Sequence, residues 1–243
     1  MRIRTNEAVS PRSSASVKRL LISLNRDLDK LKSRIEDNRD YDWWRHSITT
    51  KSTEISPVEA TILYLEDRRF FNHRGIELRA IPRTVRRLTK GKRIGAISTI
   101  DQQVVRICTN RRERTFRRKA RELFLAYALN FHCSKKEILD YYIHYCYLGY
   151  KLEGVEIAAQ SLFGIRARDL NWEQSALVAS LLPLPMPSTV YLTGREIAKA
   201  GARGESYIDL GEKVSPRWAS RVRFRYNEAL KAQEFMANIL FRR

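Results

Sequence analysis

The chain has 243 residues, 43% of them hydrophobic, enough for one substantial core with a small accessory lobe. Lys and Arg outnumber Asp and Glu by 46 to 27, so the expected partner is anionic: a phosphate or pyrophosphate, acidic lipid headgroups or nucleic acid. No run approaches about twenty apolar residues, which argues against a membrane span within this sequence, and Met1 to Ser16 lacks the apolar centre of a signal peptide.

Residues up to about Ser16 read as disordered. From Val17 to Asp37, Leu20, Leu21, Leu24, Leu28, Leu31 and Ile35 recur at helical spacing among charges, an amphipathic helix that either packs on the body or lies on a membrane surface. Tyr41, Trp43 and Trp44 suit an interface or a core equally. Ser56-Pro57-Val58-Glu59 is a capping-box helix start, continued by Ala60, Ile62, Leu63 and Leu65, with Arg74-Gly75 as its expected stop. Glu66 then falls in or near the last turn, where the helix dipole disfavours negative charge. That placement is expected to raise its pKa and make it a better proton acceptor. Taken alone, Glu66-Asp67-Arg68-Arg69 is more commonly a solvated helix end.

Pro82 to Ile97, basic and holding Gly91 and Gly95, reads as a mobile loop. From Arg83 to Arg121, fourteen Lys and Arg stand against Asp101 and Glu113 alone. Within that run, Ser98-Thr99-Ile100-Asp101-Gln102-Gln103 offers neutral hydrogen bonds suited to sugars or phosphate. A long helix is expected from Phe116 to Phe131, with Phe116, Ala120, Leu123, Phe124, Tyr127 and Phe131 as its anchoring apolar set. On it Arg118, Lys119 and Glu122 share one side, at spacings of four and three.

Ser134 and Glu137 form a second capping box, opening a helix to about Leu148 that Gly149 ends. A short helix follows from Val155 to Leu162, then one from Asn171, with Gln174 three residues on, stopped by Pro183. Gly194 to Gly211 reads as loop, and Ser215-Pro216 opens a last basic helix carrying Trp218, Val222, Tyr226 and Leu230. Cys108, Cys133 and Cys146 lack CxxC spacing and read as free, mostly buried thiols, and His144 with Cys146 is too sparse for zinc. Strand-like alternation is scarce, so the fold class is mainly α.

The ordered blocks EDRRFFNHRG, STIDQQ, RKARE, KKEILDYYIHYCYLG and ALVASLLPLP, from about Ser56 to Ser188, resemble the five motifs of the family-51 glycosyltransferases. These are the peptidoglycan glycosyltransferases, found alone or as a domain of penicillin-binding proteins. The resemblance implies a lysozyme-like, two-lobed helical domain over 48–243, with its motif-bearing core at 56–188, a mobile, membrane-dipping basic jaw at about 82–115 and a C-terminal helix at about 216–241. Residues 1–47 would be a tail plus the amphipathic helix.

By resemblance the reaction is inverting polymerisation of lipid II into β-1,4-linked glycan with release of undecaprenyl pyrophosphate. Glu66 would be the general base. Glu122 would assist pyrophosphate departure, directly or through a Mg or Mn ion, with no tightly bound cofactor. Arg106, Arg118 and Lys119 would meet the pyrophosphate, and Ser98, Thr99, Gln102 and Gln103 would line the cleft with Arg83 near it. Asp67, Phe70 and His73, from the first motif, would also contact substrate. The implied partners are lipid II, the growing glycan, an anionic membrane surface and cell-wall synthesis proteins. The implied location is the outer face of a bacterial inner membrane.

Several positions depart from the family pattern. Ala96 and Ile97 stand where Gly and then Gly or Ala are usual, and Gly95 is one place early. Asp101 replaces a Thr and is expected to add negative charge to the cleft; Arg106-Ile107 replaces Lys-Asn, His144 an Asn, and Asn130 a Glu. Both glutamates remain, which favours an active enzyme. The competing readings are a weak or inactive relative that binds lipid II, anionic membrane or a cell-wall complex, and a lytic hydrolase. Nucleic-acid binding ranks low because no recognisable motif for it is present.

Overall fold

The computed structural model describes residues 11–39, 55–77, 98–111, 113, 115–196 and 202–240. The helices are α1 (Pro11–Arg39), α2 (Pro57–Glu66), α3 (Ile100–Thr109), α4 (Phe116–Leu129), α5 (Lys135–Tyr145), α6 (Val155–Phe163), α7 (Trp172–Ser180), α8 (Ser188–Thr193), α9 (Gly204–Val214) and α10 (Pro216–Leu240). A two-strand antiparallel hairpin, β1 (Tyr147–Gly149) with β2 (Leu152–Glu153), joins α5 to α6. The fold is mainly α, as the sequence pattern implied.

Three helices begin where their capping boxes predict. Ser56, Ser134 and Asn171 each accept from the backbone N–H three residues on, while Glu59, Glu137 and Gln174 reach back to the cap. The Glu59 carboxyl is buried and its pKa is raised by desolvation, which the hydrogen bonds from Ser56 only partly oppose.

The helices sort into two packed groups that share one continuous core. In the first, α1, α4 and α5 pack around α3. In the second, α2, α7 and α9 pack around α10, and α8 lies on α9. Helix α6 bridges the two, touching α5 on one side and α7 on the other. Leu31, Ile35, Val104, Leu125 and Ile138 are fully buried in the first group, and Ile62, Leu177, Ile208 and Val222 in the second.

Several expectations need correction. Helix α1 starts at Pro11, so residues 11–16 are helical. Its Leu24, Leu31 and Ile35 pack on the body, whereas Val17, Leu20, Leu21 and Ile22 near its start stay exposed. Helix α2 ends at Glu66 with Asp67 as its cap, well before Gly75. Residues 98–109 of the supposed jaw are core, since Ile100, Val104, Val105 and Cys108 of α3 are buried.

Helix α5 stops at Tyr145 because the chain turns into the hairpin, where Lys151 takes a positive φ. Residues 204–214, read as loop for their glycines, form α9; Gly204 and Gly211 admit the Glu173 carbonyl and the Trp218 ring where a Cβ would collide. All three cysteines are buried and none forms a disulfide. Among the described residues no helix is long and apolar enough to cross a membrane. Tyr41, Trp43, Trp44 and the Pro82–Ile97 segment lie outside the described residues.

Gly75 ties the groups together at the site. Its φ is +79°, and a Cβ there would strike the Ala126 carbonyl on α4. Its own carbonyl accepts from Thr99 Oγ1 (2.8 Å) and Gln102 Nε2 (3.1 Å) at the start of α3. Gly75→Ala is expected to cost at least about 1–3 kcal/mol through backbone strain. A thermal melt would read this as a drop of several degrees, and an unchanged Tm would contradict the close approach.

Candidate active site

Glu66 closes α2, and only 5% of its side chain is exposed. Its Oε1 is ion-paired with Arg225 of α10, and its Oε2 accepts from Gln103 Nε2 of α3 at 2.9 Å. Tyr142 of α5 donates its hydroxyl to Gln103 Oε1 at 2.9 Å, which orients the amide so that its NH2 faces the carboxylate. Burial first, and then the Glu66 charge, push the Tyr142 phenol well above its ordinary range, so it remains a donor. The carboxylate expected to stand alone against the helix dipole is therefore compensated by a guanidinium. Arg225 was missed in the sequence, where it is one of several basic residues on the last helix and carries no local motif.

Glu122 lies on α4 and is 3% exposed. Its Oε1 accepts from Arg106 Nη2 of α3 and from Lys119 Nζ, both at 3.0 Å, and its Oε2 is paired with Arg118. The spacings of four and three place Arg118 and Lys119 over Glu122 as predicted. The anchoring face of the helix is a correction. Glu122, Leu125, Ala126 and Leu129 are buried, while Phe116 is 88% exposed and Phe124, Tyr127 and Phe131 are also exposed. Both faces of α4 carry apolar residues. The carboxylate enters the core face because three cations meet it there; deleting it would leave them facing one another.

Lys119 Nζ also donates to Ser98 Oγ (2.9 Å) and Gln102 Oε1 (2.7 Å), and Arg106 Nη2 donates to Ser98 Oγ (3.2 Å). Burial lowers the Lys119 pKa, with Glu122 opposing the shift. Arg106 Nε and Arg225 Nε are buried donors without an acceptor among the described residues. A small cavity beside Glu122 is lined by Arg106, Arg111, Arg118 and Arg121. This cationic surround suits an anion such as a phosphate group. It does not fit a resident Mg or Mn ion, which would have to displace a cation already bonded to Glu122.

The other first- and second-motif residues form a buried polar junction beneath the site. Thr99 and Gln102 are buried on the Gly75 carbonyl, and Phe70 is core, 1% exposed. Asp67 Oδ2 accepts from the Ile100 N–H at 3.2 Å, and His73 Nε2 lies 3.0 Å from both Asp67 oxygens. The side chains of Asp67, Phe70, His73, Thr99 and Gln102 are thus buried, with Gln102 also reaching Lys119, while Ser98, Gln103, Arg106, Arg118 and Lys119 are only partly buried.

Asp101 is 0% exposed and adds no charge to the cleft. It accepts from Lys135 Nζ at 2.8 and 2.9 Å and from Asn130 Nδ2 at 2.7 Å, so two of the departures from the family pattern meet in one contact. Asp67, His73 and Asp101 lie close enough to share a metal ion, but the Lys135 ammonium already supplies the cation there. His144 stacks on Tyr145, and its pKa is lowered by burial. Arg83 and Ile97 lie outside the described residues.

On the Glu66 side an open groove of about 570 Å³ runs between the end of α2, Pro183-Leu184 and α10. Arg68, Arg221, Phe224 and Arg225 line it.

Residues 35–206 match the transglycosylase family. Penicillin-binding protein 1A of Streptococcus oralis is 35% identical over 172 residues, covering 66% of this chain and 27% of the relative. The biosynthetic peptidoglycan transglycosylases of Alcanivorax borkumensis and Caulobacter vibrioides are 34% and 32% identical, covering 62% and 60% of this chain. The chain spans 58% and 64% of those two relatives, less than two thirds of either. The match takes in Glu66, the polar 98–103 segment and Glu122 together, and the chain belongs to the transglycosylase family.

Proposed function

We propose that this protein is a peptidoglycan glycosyltransferase that polymerises lipid II into β-1,4-linked glycan. The observation that carries the reading is the pairing of two buried carboxylates with opposite surroundings on either side of α3. Glu66 is held by one guanidinium and an amide beside a roomy groove, whereas Glu122 is embedded in three cations.

The chemistry follows from that asymmetry. The 4-hydroxyl of the incoming lipid-linked disaccharide attacks the anomeric carbon of the growing chain. Glu66 takes the hydroxyl proton as the new C–O bond forms. The bond from the anomeric carbon to the phosphate oxygen breaks on the opposite face, and its electron pair leaves with the pyrophosphate. Arg106, Arg118 and Lys119 are fixed where that charge develops, and fixed donors need no reorganisation at the moment of reaction. A Mg or Mn ion that assists departure would enter with the pyrophosphate as part of the substrate.

The membrane surface is part of this proposal. Phe116 and Phe124 on α4, Phe131 just after it, and Leu20, Leu21 and Ile22 on α1 are exposed apolar side chains, and Lys18, Arg19 and Arg117 are exposed as well. Aromatic and basic groups together suit the headgroup region of an anionic bilayer. The corresponding location is the outer face of the inner membrane, where lipid II is presented.

Glu66→Gln is expected to lower kcat by about 10²–10⁴-fold with little change in KM, read as loss of glycan ladders from labelled lipid II in detergent. Measurable wild-type turnover left unaltered by this change would refute the assigned base. Because Lys119 loses its proton at lower pH than an ordinary lysine, the alkaline fall in kcat/KM should begin correspondingly early. Lys119→Arg, permanently charged, should shift or remove that limb; coincident limbs in the two proteins would contradict it. Flotation with phosphatidylglycerol vesicles should recover the wild type and lose most of a Phe116→Ser/Phe124→Ser variant, with equal recovery counting against the membrane face.

A further inference from the structure

We propose that Asp101 is a positioning residue for the transfer reaction: from its buried junction with Asn130 and Lys135 it sets α3 against the end of α2, and so aims Gln103 at Glu66. The proposal rests on the transferase reading for its kinetic part and on geometry for the rest.

Asp101 sits in the first turn of α3, two residues before Gln103 and five before Arg106. Its carboxylate reaches the two helices that flank α3. Asn130 at the end of α4 donates to Oδ1, and Lys135 in the first turn of α5 donates to both oxygens. The neighbouring Ile100 N–H is held by Asp67, the residue after Glu66, and His73 bonds Asp67 from the other side. His73 Nδ1 lies 4.0 Å from Asp101 Oδ2, so the two clusters form one junction. Lys135 also lies over the Phe70 ring, 4.3 Å from its centroid. Four segments that carry the site (the end of α2, the start of α3, the end of α4 and the start of α5) therefore meet on a few buried polar atoms.

Within this junction both Asp101 oxygens are satisfied by Lys135 and Asn130. Without the carboxylate, Lys135 loses its ion-pair partner in a site that already disfavours its charge, and Asn130 keeps only the Ala126 carbonyl as acceptor. The start of α3 then keeps Asp67 on the Ile100 N–H as its one remaining charged contact, and a shift there carries Gln103 off Glu66 while surfaces elsewhere are untouched. Small misplacements of a catalytic pair cost rate out of proportion to binding.

The test exploits the 2.7 Å contact between Asp101 and Asn130, across which the two side chains can be exchanged. Asp101→Asn removes the charge; Asp101→Asn with Asn130→Asp returns it to the same junction with volume conserved. Two readouts are taken on the full chain: kcat and KM with lipid II, and amide hydrogen exchange of the peptide spanning 98–106. The single variant should lower kcat at least tenfold with KM within about twofold, and exchange at the start of α3 should quicken. The exchanged pair should recover most of both.

Unaltered kcat and exchange in Asp101→Asn would overturn the proposal. So would a loss that the exchanged pair fails to restore although its melting temperature returns. If the wild type shows no turnover at all, the transferase reading fails by itself. Exchange then decides alone: quickening in Asp101→Asn that the exchanged pair reverses sustains Asp101 as the anchor of α3, and any other pattern rejects it.

Discussion

One face of helix α3 reaches both candidate catalytic carboxylates, and the arrangement of the site depends on it. Gln103 donates to Glu66 and Arg106, three residues on, donates to Glu122, so one rigid turn sets the relation of two acids that lie on helices of different packed groups. Neither α2 nor α4 could fix that relation alone. The helix is itself fixed at its start: Thr99 and Gln102 hold the Gly75 carbonyl, the Ile100 N–H meets Asp67, and Asp101 meets Asn130 and Lys135. Burial of polar groups is costly unless each finds a partner, which is why this junction tolerates little variation in how the segments approach.

The electrostatics explain how two carboxylates coexist with little of either side chain exposed. Each is satisfied by cations and amides. The balance differs, with one guanidinium at Glu66 and three cations at Glu122. A group that accepts a proton must be reachable by a neutral hydroxyl, and the groove lined by Arg68, Phe224 and Arg225 lies on that side. In the proposed reaction a group beside the departing pyrophosphate needs surplus positive charge, and three cations surround Glu122. Among the described residues the buried Nε donors of Arg106 and Arg225 find no acceptor, one on each side.

Much of this was legible before any coordinates. Ser56, Ser134 and Asn171 announced their helices because a capping box is a contact among four consecutive residues. The Arg118-Lys119-Glu122 cluster was legible for the same reason, being set by helical spacing alone. Local pattern misled where two answers were locally equivalent. Helix α4 carries apolar residues on two faces, and the aromatic one looked the better anchor; the cations that α3 and α4 bring to Glu122 decided for the other. The glycines of α9 resembled loop residues, yet they serve close packing against α7 and α10. Asp101 looked like an extra charge in the cleft because its partners, Asn130 and Lys135, lie about thirty residues away in sequence.

What the sequence determined by itself was the three helix starts marked by capping boxes and the Arg118-Lys119-Glu122 cluster, each written in spacings of three or four residues, together with the order of the family motifs and the two glutamates. Only the tertiary structure decided that Arg225 of the last helix reaches Glu66, that the side chains of Asp67, Phe70 and His73 are buried, and that Asp101 is buried against Asn130 and Lys135. These are contacts between segments far apart in the chain. Their existence depends on how the helices pack, which the pattern of a single sequence does not encode residue by residue.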